Sequence, residues 1–318
     1  MIWKLLLLSL LTFLEVDFHV PGPSERLEAI GDTKDLPEAL RRAFDPGDDF
    51  EPIPKPGGDD WLAVHEEKGQ TYDDFRKTRR NIPRGTRSKV YFLPLGDFPA
   101  GRGPTLEKLK EFASAFFALE VKFLPAEKIG KDSFSPRENP YTGQRQILTG
   151  DILDFLKKKL PDDAFCLLAI TLEDLYPEPS WNFVFGQASL RGRVGVYSFV
   201  RYDPAFYGKK GEKDAEKLIL RRSLQVLAHE TGHMFALLHC IHFNCLMNGS
   251  NYLEEGDRRP LHLCPVCLRK LQSSVDFDVV ERYKKLLDFY GKAGLDEEAK
   301  WHKKRIEWIE RGGTKKEK

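Results

Sequence analysis

The segment His-Glu-Thr-Gly-His, residues 229–233, constrains the fold of this chain more than any other. A spacing of four places His229 and His233 on one face of a helix, one turn apart, where both imidazoles can reach a single metal ion. His239 is the natural third ligand, but on a continuous helix six further residues turn about 240°, onto the wrong face. The helix must therefore stop near residue 236, and the chain must double back. Zinc accepts neutral imidazole nitrogen, and its reactive sites keep one position for water. Glu230 can lean towards that water and accept its proton during attack on a carbonyl.

The cysteines make a second constellation. Four of the five (Cys240, Cys245, Cys264 and Cys267) fall within 28 residues, and the fifth, Cys166, sits in an apolar run. An odd count clustered in this way argues for a metal site over a disulfide scaffold. Two close pairs separated by 18 residues fit a closed, tetrahedral four-thiolate zinc site that helps fold its own segment. Disulfide pairing is the weaker alternative and gains only if the chain is secreted. Cys240 follows His239 directly, so the thiolate site would also fix the backbone that carries the third histidine.

Around these motifs the pattern alternates between strands and helices. Strands are expected at 89–95, 121–124, 164–172, 183–190 and 194–202, the third apolar throughout as if buried on both faces. Helices are expected at 105–119, 151–160, 214–238, 279–290 and 296–310, with Trp301 and Trp308 as docking contacts on the last. The expected fold class is α/β (α+β): a twisted mixed sheet of about five strands flanked by helices, with a zinc-stapled C-terminal subdomain. The catalytic domain is expected over 88–290, with the structural zinc subdomain at 240–270 and a C-terminal helix and tail at 291–318. Residues 21–87, rich in Pro and Gly, read as an extended arm with one helix at 36–44. The basic run 76–80 within it reads as a solvated loop.

Residues 1–20 contain a ten-residue apolar run, Leu5 to Leu14, broken only by Ser9 and Thr12. A membrane span needs roughly 20 residues, so no stable span is expected. The run resembles the core of a secretory signal, although no small-residue cleavage site follows. Fifty basic against forty-nine acidic residues leave a charge of +1, so the electrostatic footprint of a nucleic-acid binder is absent at the level of the whole chain and only local basic runs remain open; no nucleic-acid partner is expected.

The run from His229 through Cys245-Leu246-Met247, followed by Cys-Pro-Val-Cys at 264–267, resembles the archaemetzincins, a branch of the metzincin zinc peptidases. The flanks 180–190 and 249–272 are similar to the vertebrate members in particular, and the resemblance spans about residues 85–285. It implies a sheet above an active-site helix, with substrate laid along an antiparallel edge strand at 183–190. It also implies that Met247 is the Met-turn residue, a polarizable floor beneath the histidines. Two positions depart from the family pattern. Ala236 stands where the family has Gly, at a left-handed turn that costs a residue with a Cβ about 1–2 kcal/mol. Asn248 and Gly249 follow Met247, so the tyrosine that some metzincins place two residues after the Met is missing. No cysteine precedes Cys166, which excludes a thiol-based prodomain switch.

The function so implied is a zinc-dependent metalloprotease acting on peptide or protein substrates. Glu230 would be general base, His229, His233 and His239 the catalytic ligands, and the four cysteines the structural ones: two zinc ions per chain. The vertebrate resemblance suggests an aminopeptidase-like preference, for which Glu254, Glu255 and Asp257 are candidate anchors of the substrate amine. The alternative is a zinc-stabilised binding protein without activity, supported only by Ala236. The four thiolates point to an intracellular compartment, cytoplasmic or nuclear, and residues 1–20 to secretion if they act as a signal. No oligomeric state follows from the sequence.

Overall fold

The computed structural model describes residues 17–99, 101, 103–209 and 214–311; the apolar N-terminal run lies outside them. Four short helices come first: α1 (Pro23–Ile30), α2 (Glu38–Phe44), α3 (Trp61–Val64) and α4 (Tyr72–Lys77). The expected arm with a single helix is thus corrected. Its apolar residues are sparse, yet Ala29, Ile30, Phe44, Phe50 and Phe75 are all buried in the main core. Burial of scattered anchors has overridden the local Pro and Gly signals. Thr71 and Asp74 cap α4 reciprocally, each accepting the other's backbone N–H.

Strand β1 (Lys89–Leu95), helix α5 (Leu106–Phe117) and strand β2 (Val121–Phe123) follow. A small sheet of β3 (Arg137–Glu138), β4 (Arg145–Leu148) and β6 (Asp174–Tyr176) interrupts the main one, with α6 (Thr149–Lys157) and β5 (Ala164–Thr171) between its strands. Strands β7 (Gly186–Ser189) and β8 (Val194–Ser198) complete a five-stranded sheet ordered β2-β1-β5-β8-β7. It is parallel except for β7, which runs antiparallel to β8 and forms an edge. Alternate residues of β5 divide between two cores. Cys166, Leu168 and Ile170 join the larger one, and Leu167 and Ala169 the smaller. This accounts for an apolar run without alternation.

The edge strand is shorter than the expected 183–190. Val184 donates its N–H to the Leu175 carbonyl (3.0 Å), so the chain enters from the small sheet and joins β8 only at Gly186. Likewise β8 stops at Ser198 and gives way to 3-10 turns at Val200–Tyr202 and Pro204–Tyr207.

Helix α7 (Ala215–Met234) carries the histidines beneath the sheet, followed by α8 (Leu253–Asp257) and α9 (Pro265–Val275). α9 lies partly in the expected zinc subdomain at 240–270: Pro265 opens it, and the helix is buried on nearly all sides, Val266, Leu268 and Leu271 included. Helices α10 (Val279–Lys292) and α11 (Asp296–Glu310) close the fold. Trp301 stacks on His262 with ring centroids 3.7 Å apart, a docking contact as expected. Arg305 of α11 is fully buried. It donates to the carbonyls of Arg42, Ala43 and Asp45 and to the Asp49 carboxylate, clamping the N-terminal helices to the end of the chain. Among the described residues no helix is long and apolar enough to cross a membrane.

Candidate metal centre

α7 ends at Met234, four residues before the expected limit of 238, in a turn that the backbone hydrogen bonds define. The Ala236 N–H meets the His233 carbonyl (2.8 Å), and the Leu237 N–H meets Gly232 (3.4 Å). That pair of bonds is a Schellman cap, which needs a left-handed residue at the position of Ala236. Ala236 adopts it, at φ 64°. Gln70, from the N-terminal segment, braces the turn: its amide donates to the Ala236 carbonyl and accepts from the Leu238 N–H, both at 3.3 Å. Lys270 holds Gln70 in turn through its backbone carbonyl.

The turn delivers His239 to its two predecessors, and the ligand atoms of the three lie within 4.8 Å of one another. The Nε2 atoms of His229 and His233 are 3.1 Å apart. Two nitrogens sharing a tetrahedral zinc at about 2.0–2.1 Å would stand about 3.3 Å apart, so the pair is close to ligand spacing. Every Nδ1 faces an oxygen: the Leu246 carbonyl for His229 (3.1 Å), the Leu237 carbonyl for His233 (2.6 Å) and the Glu67 carboxylate for His239 (2.7 Å). An Nδ1–H donor on each leaves the Nε2 lone pairs for a metal. Burial pushes His229 well below the usual histidine range and His233 down to about 4, so both are neutral, as ligation requires. The donor set fits zinc.

Glu230 lines a cavity of about 570 Å³ with His229, His239, Trp61, Gly186 and Arg259. Burial raises its carboxyl to about 7, opposed by its electrostatic interaction with the His239 ring and the Arg259 guanidinium. A Cβ at Gly186 would come within 3.3 Å of the Glu230 carboxyl carbon, so the edge strand starts directly against this side chain. Met247 is fully buried. A Cβ at Gly232 would stand 2.7 Å from its Sδ, so the thioether packs on the helix between the two histidines.

The four cysteines are buried, with thiols also within 4.8 Å of one another and Cys240 Sγ 3.6 Å from Cys264 Sγ. All are free; hydrogen bonds from Cys245, Cys264 and Cys267 lower the Cys240 thiol, while the Cys264 and Cys267 thiols are pushed up by burial and by their bonds within the cluster. Asn248 orders the intervening loop, accepting from the Cys245 N–H (2.7 Å) and donating to the Cys240 and Phe243 carbonyls. Cys166 is separate, buried in β5, where desolvation pushes its thiol up.

Sequence reasoning missed three residues: Glu67, Gln70 and Trp61. The Trp61 indole donates to Glu67 (2.9 Å) and packs edge-on to His239. It also fills the space beside Gly249, where a Cβ would meet the indole at 2.5 Å. The aromatic missing after the Met-turn is thus replaced in space by one from the N-terminal segment. No periodicity or spacing in 21–87 marks these residues. The candidate amine anchors are committed elsewhere: Asp257 pairs with Arg222 (2.8 Å), and Glu255 accepts the N–H groups of Trp61 and Asn251. Neither they nor Glu254 line the cavity.

The family model described as Peptidase family M54 matches residues 141–273. Archaemetzincin-2 of Mus musculus is 42% identical over 276 residues, covering 78% of this chain and 77% of that protein. The chain belongs to the archaemetzincin family. Archaemetzincin-1 of Homo sapiens is 33% identical over 258 residues, 72% of this chain and 51% of that protein. Among solved structures, a zinc-dependent peptidase from Methanocorpusculum labreanum matches 57% of this chain and 99% of its own, with 27% identity and a TM-score of 0.46. The archaemetzincin of Methanopyrus kandleri matches 62% and 99%, with 32% identity and a TM-score of 0.43. As an archaemetzincin the protein is a zinc metallopeptidase, and its substrates are peptides or proteins.

Proposed function

We propose that His229, His233 and His239 hold the catalytic zinc, that Glu230 is the general base, and that Cys240, Cys245, Cys264 and Cys267 hold a second, structural zinc. The observation that carries the reading is the convergence of three Nδ1-anchored imidazoles beside a buried carboxylate at the start of an open sheet edge. Zinc held there supplies Lewis-acid polarisation for attack on the scissile carbonyl. The unpaired edge of β7 aligns the substrate backbone by strand addition. Glu230 takes the proton from the attacking water and passes it to the departing amine. Met247 and the cysteine loop keep His229 and His239 in register.

The inactive-binder alternative rested on Ala236, and a braced left-handed turn at that residue supports the peptidase instead. Free, clustered cysteines favour an intracellular, reducing compartment, cytoplasmic or nuclear; secretion is the alternative that N-terminal sequencing would reveal. Glu230→Gln tests the central assignment. It should keep both zinc ions by elemental analysis and abolish hydrolysis of a peptide library, and undiminished turnover would refute the role.

A further inference from the structure

Arg79, Arg80 and Arg191 converge on a second cavity of about 550 Å³, which Met234 and Ala236 also line, at the turn that ends the active-site helix. No acidic residue lines it, and among the described residues none of the three arginines is ion-paired. Arg80 is held in place by the carbonyls of Phe75 (3.0 Å) and Arg76 (3.2 Å) and by stacking on the Phe75 ring, contacts that leave its charge uncompensated. The surrounding sequence is basic too: between Asp74 and Asp97 the chain carries seven basic residues and no acidic one, and of these Lys89 is paired with Asp163 and Glu120. A near-neutral chain has concentrated positive charge at one place.

That place adjoins the substrate edge. Asn81 donates to the Leu190 carbonyl (2.9 Å), fastening the arginine segment to the end of β7. Gly186, at the other end, touches Glu230. Four residues of strand separate the two points, about 13 Å at a rise of about 3.3 Å per residue. A peptide added to the open edge therefore passes from the catalytic carboxylate to the arginines within four residues of its own length.

We propose that this cavity is an acidic-residue subsite: Arg79, Arg80 and Arg191 select substrates carrying Asp or Glu about four positions from the scissile bond. Antiparallel pairing, which β7 already makes with β8, puts those residues on the amino-terminal side. Cleavage then falls inside a chain, with several residues before the cut. The inference rests on the peptidase reading above and adds a substrate class to it. Nucleic acid is disfavoured because the charge continues an edge built for backbone pairing.

The test uses zinc-loaded full-length protein and fluorogenic peptides that share one cleavage site and carry Asp-Glu, Ala-Ala or Lys-Lys upstream. The acidic peptide should have kcat/KM about tenfold above the neutral one, falling with added salt. The ratio should approach one in R79S/R191S, and R79E/R191E should favour the Lys-Lys peptide. Equal turnover of all three by the wild type, or a preference that survives R79S/R191S, overturns the subsite and leaves the peptidase standing. No turnover of any peptide overturns the reading beneath it. Anisotropy of the acidic peptide on zinc-loaded Glu230→Gln repeats the comparison without catalysis, and tighter binding of an oligonucleotide of equal charge would reassign the arginines.

Discussion

Glu67 accepts a hydrogen bond from Nδ1 of His239 at 2.7 Å, linking the N-terminal segment to a metal-site histidine across 172 positions of sequence. The same carboxylate takes the Trp61 indole N–H at 2.9 Å. It thus fixes the tautomer and orientation of the one of the three site histidines that α7 does not carry. The His239 hydrogen bond is also the main reason that the Glu67 carboxyl lies below its ordinary range.

Removing that partner should loosen the metal. Glu67→Ala is expected to weaken zinc binding about 10–100-fold, the usual effect of losing a ligand's outer partner. Competition with a chromogenic chelator reads this directly, with far-UV circular dichroism as the control for folding. Unchanged affinity in a folded variant would show that Glu67 does not orient His239.

The turn at Ala236 carries strain that glycine would relieve. Ala236→Gly should stabilise the protein by about 1 kcal/mol, since only glycine adopts φ 64° without a Cβ penalty. Gln70→Ala should destabilise it by about 1–2 kcal/mol, leaving the Ala236 carbonyl and Leu238 N–H without their side-chain partner. Urea denaturation measures both. A destabilised Ala236→Gly would mean that the turn is held in another way.

The thiolate loop and the histidine site should fail together. Because Cys240 adjoins His239, Cys267→Ser is expected to lose the structural zinc and to lower occupancy of the histidine site as well. Metal analysis after dialysis would show fewer than one zinc per chain. Retention of one zinc with full turnover would mean that the two sites are independent.

Part of the acid sensitivity should trace to His302, which burial depresses to about 3 while its Nδ1–H donates to the Glu298 carbonyl (2.7 Å); the buried His229, His233 and His262 are depressed as well and add to it. Its folded value lies below the ordinary 6.5, so its contribution is fully present above that pH and is lost as pH falls towards 3. Between those limits only the unfolded chain takes the proton, at a cost of up to roughly 1.4 kcal/mol per pH unit. His302→Phe should flatten the unfolding midpoint between pH 7 and pH 5. An unchanged slope would place the acid sensitivity elsewhere.

The histidine helix and the returning histidine were legible because spacing decides which face of a helix a ligand occupies, and the cysteine quartet was legible from its paired spacing; the helix itself stops four residues before the expected 238. The left-handed Ala236 was legible only through the resemblance to the family, whose pattern has Gly at that position. Glu67, Gln70 and Trp61 were not: they act across more than 160 residues of sequence, from a segment whose Pro and Gly erase any period. The strand ends were misplaced where a long-range pairing intervened, as Val184 did with Leu175. Local pattern reports what a segment can become, and the competing partner decides where it stops.

The buried guanidinium of Arg305 stitches helix α11 to the segment that ultimately supplies Trp61, Glu67 and Gln70. Trimming the carboxyl-terminal helix, or prying it loose with a bulky fusion, should therefore be felt at the histidine site. The strap over the histidines would slacken, and damage far from the reaction would register as a catalytic defect.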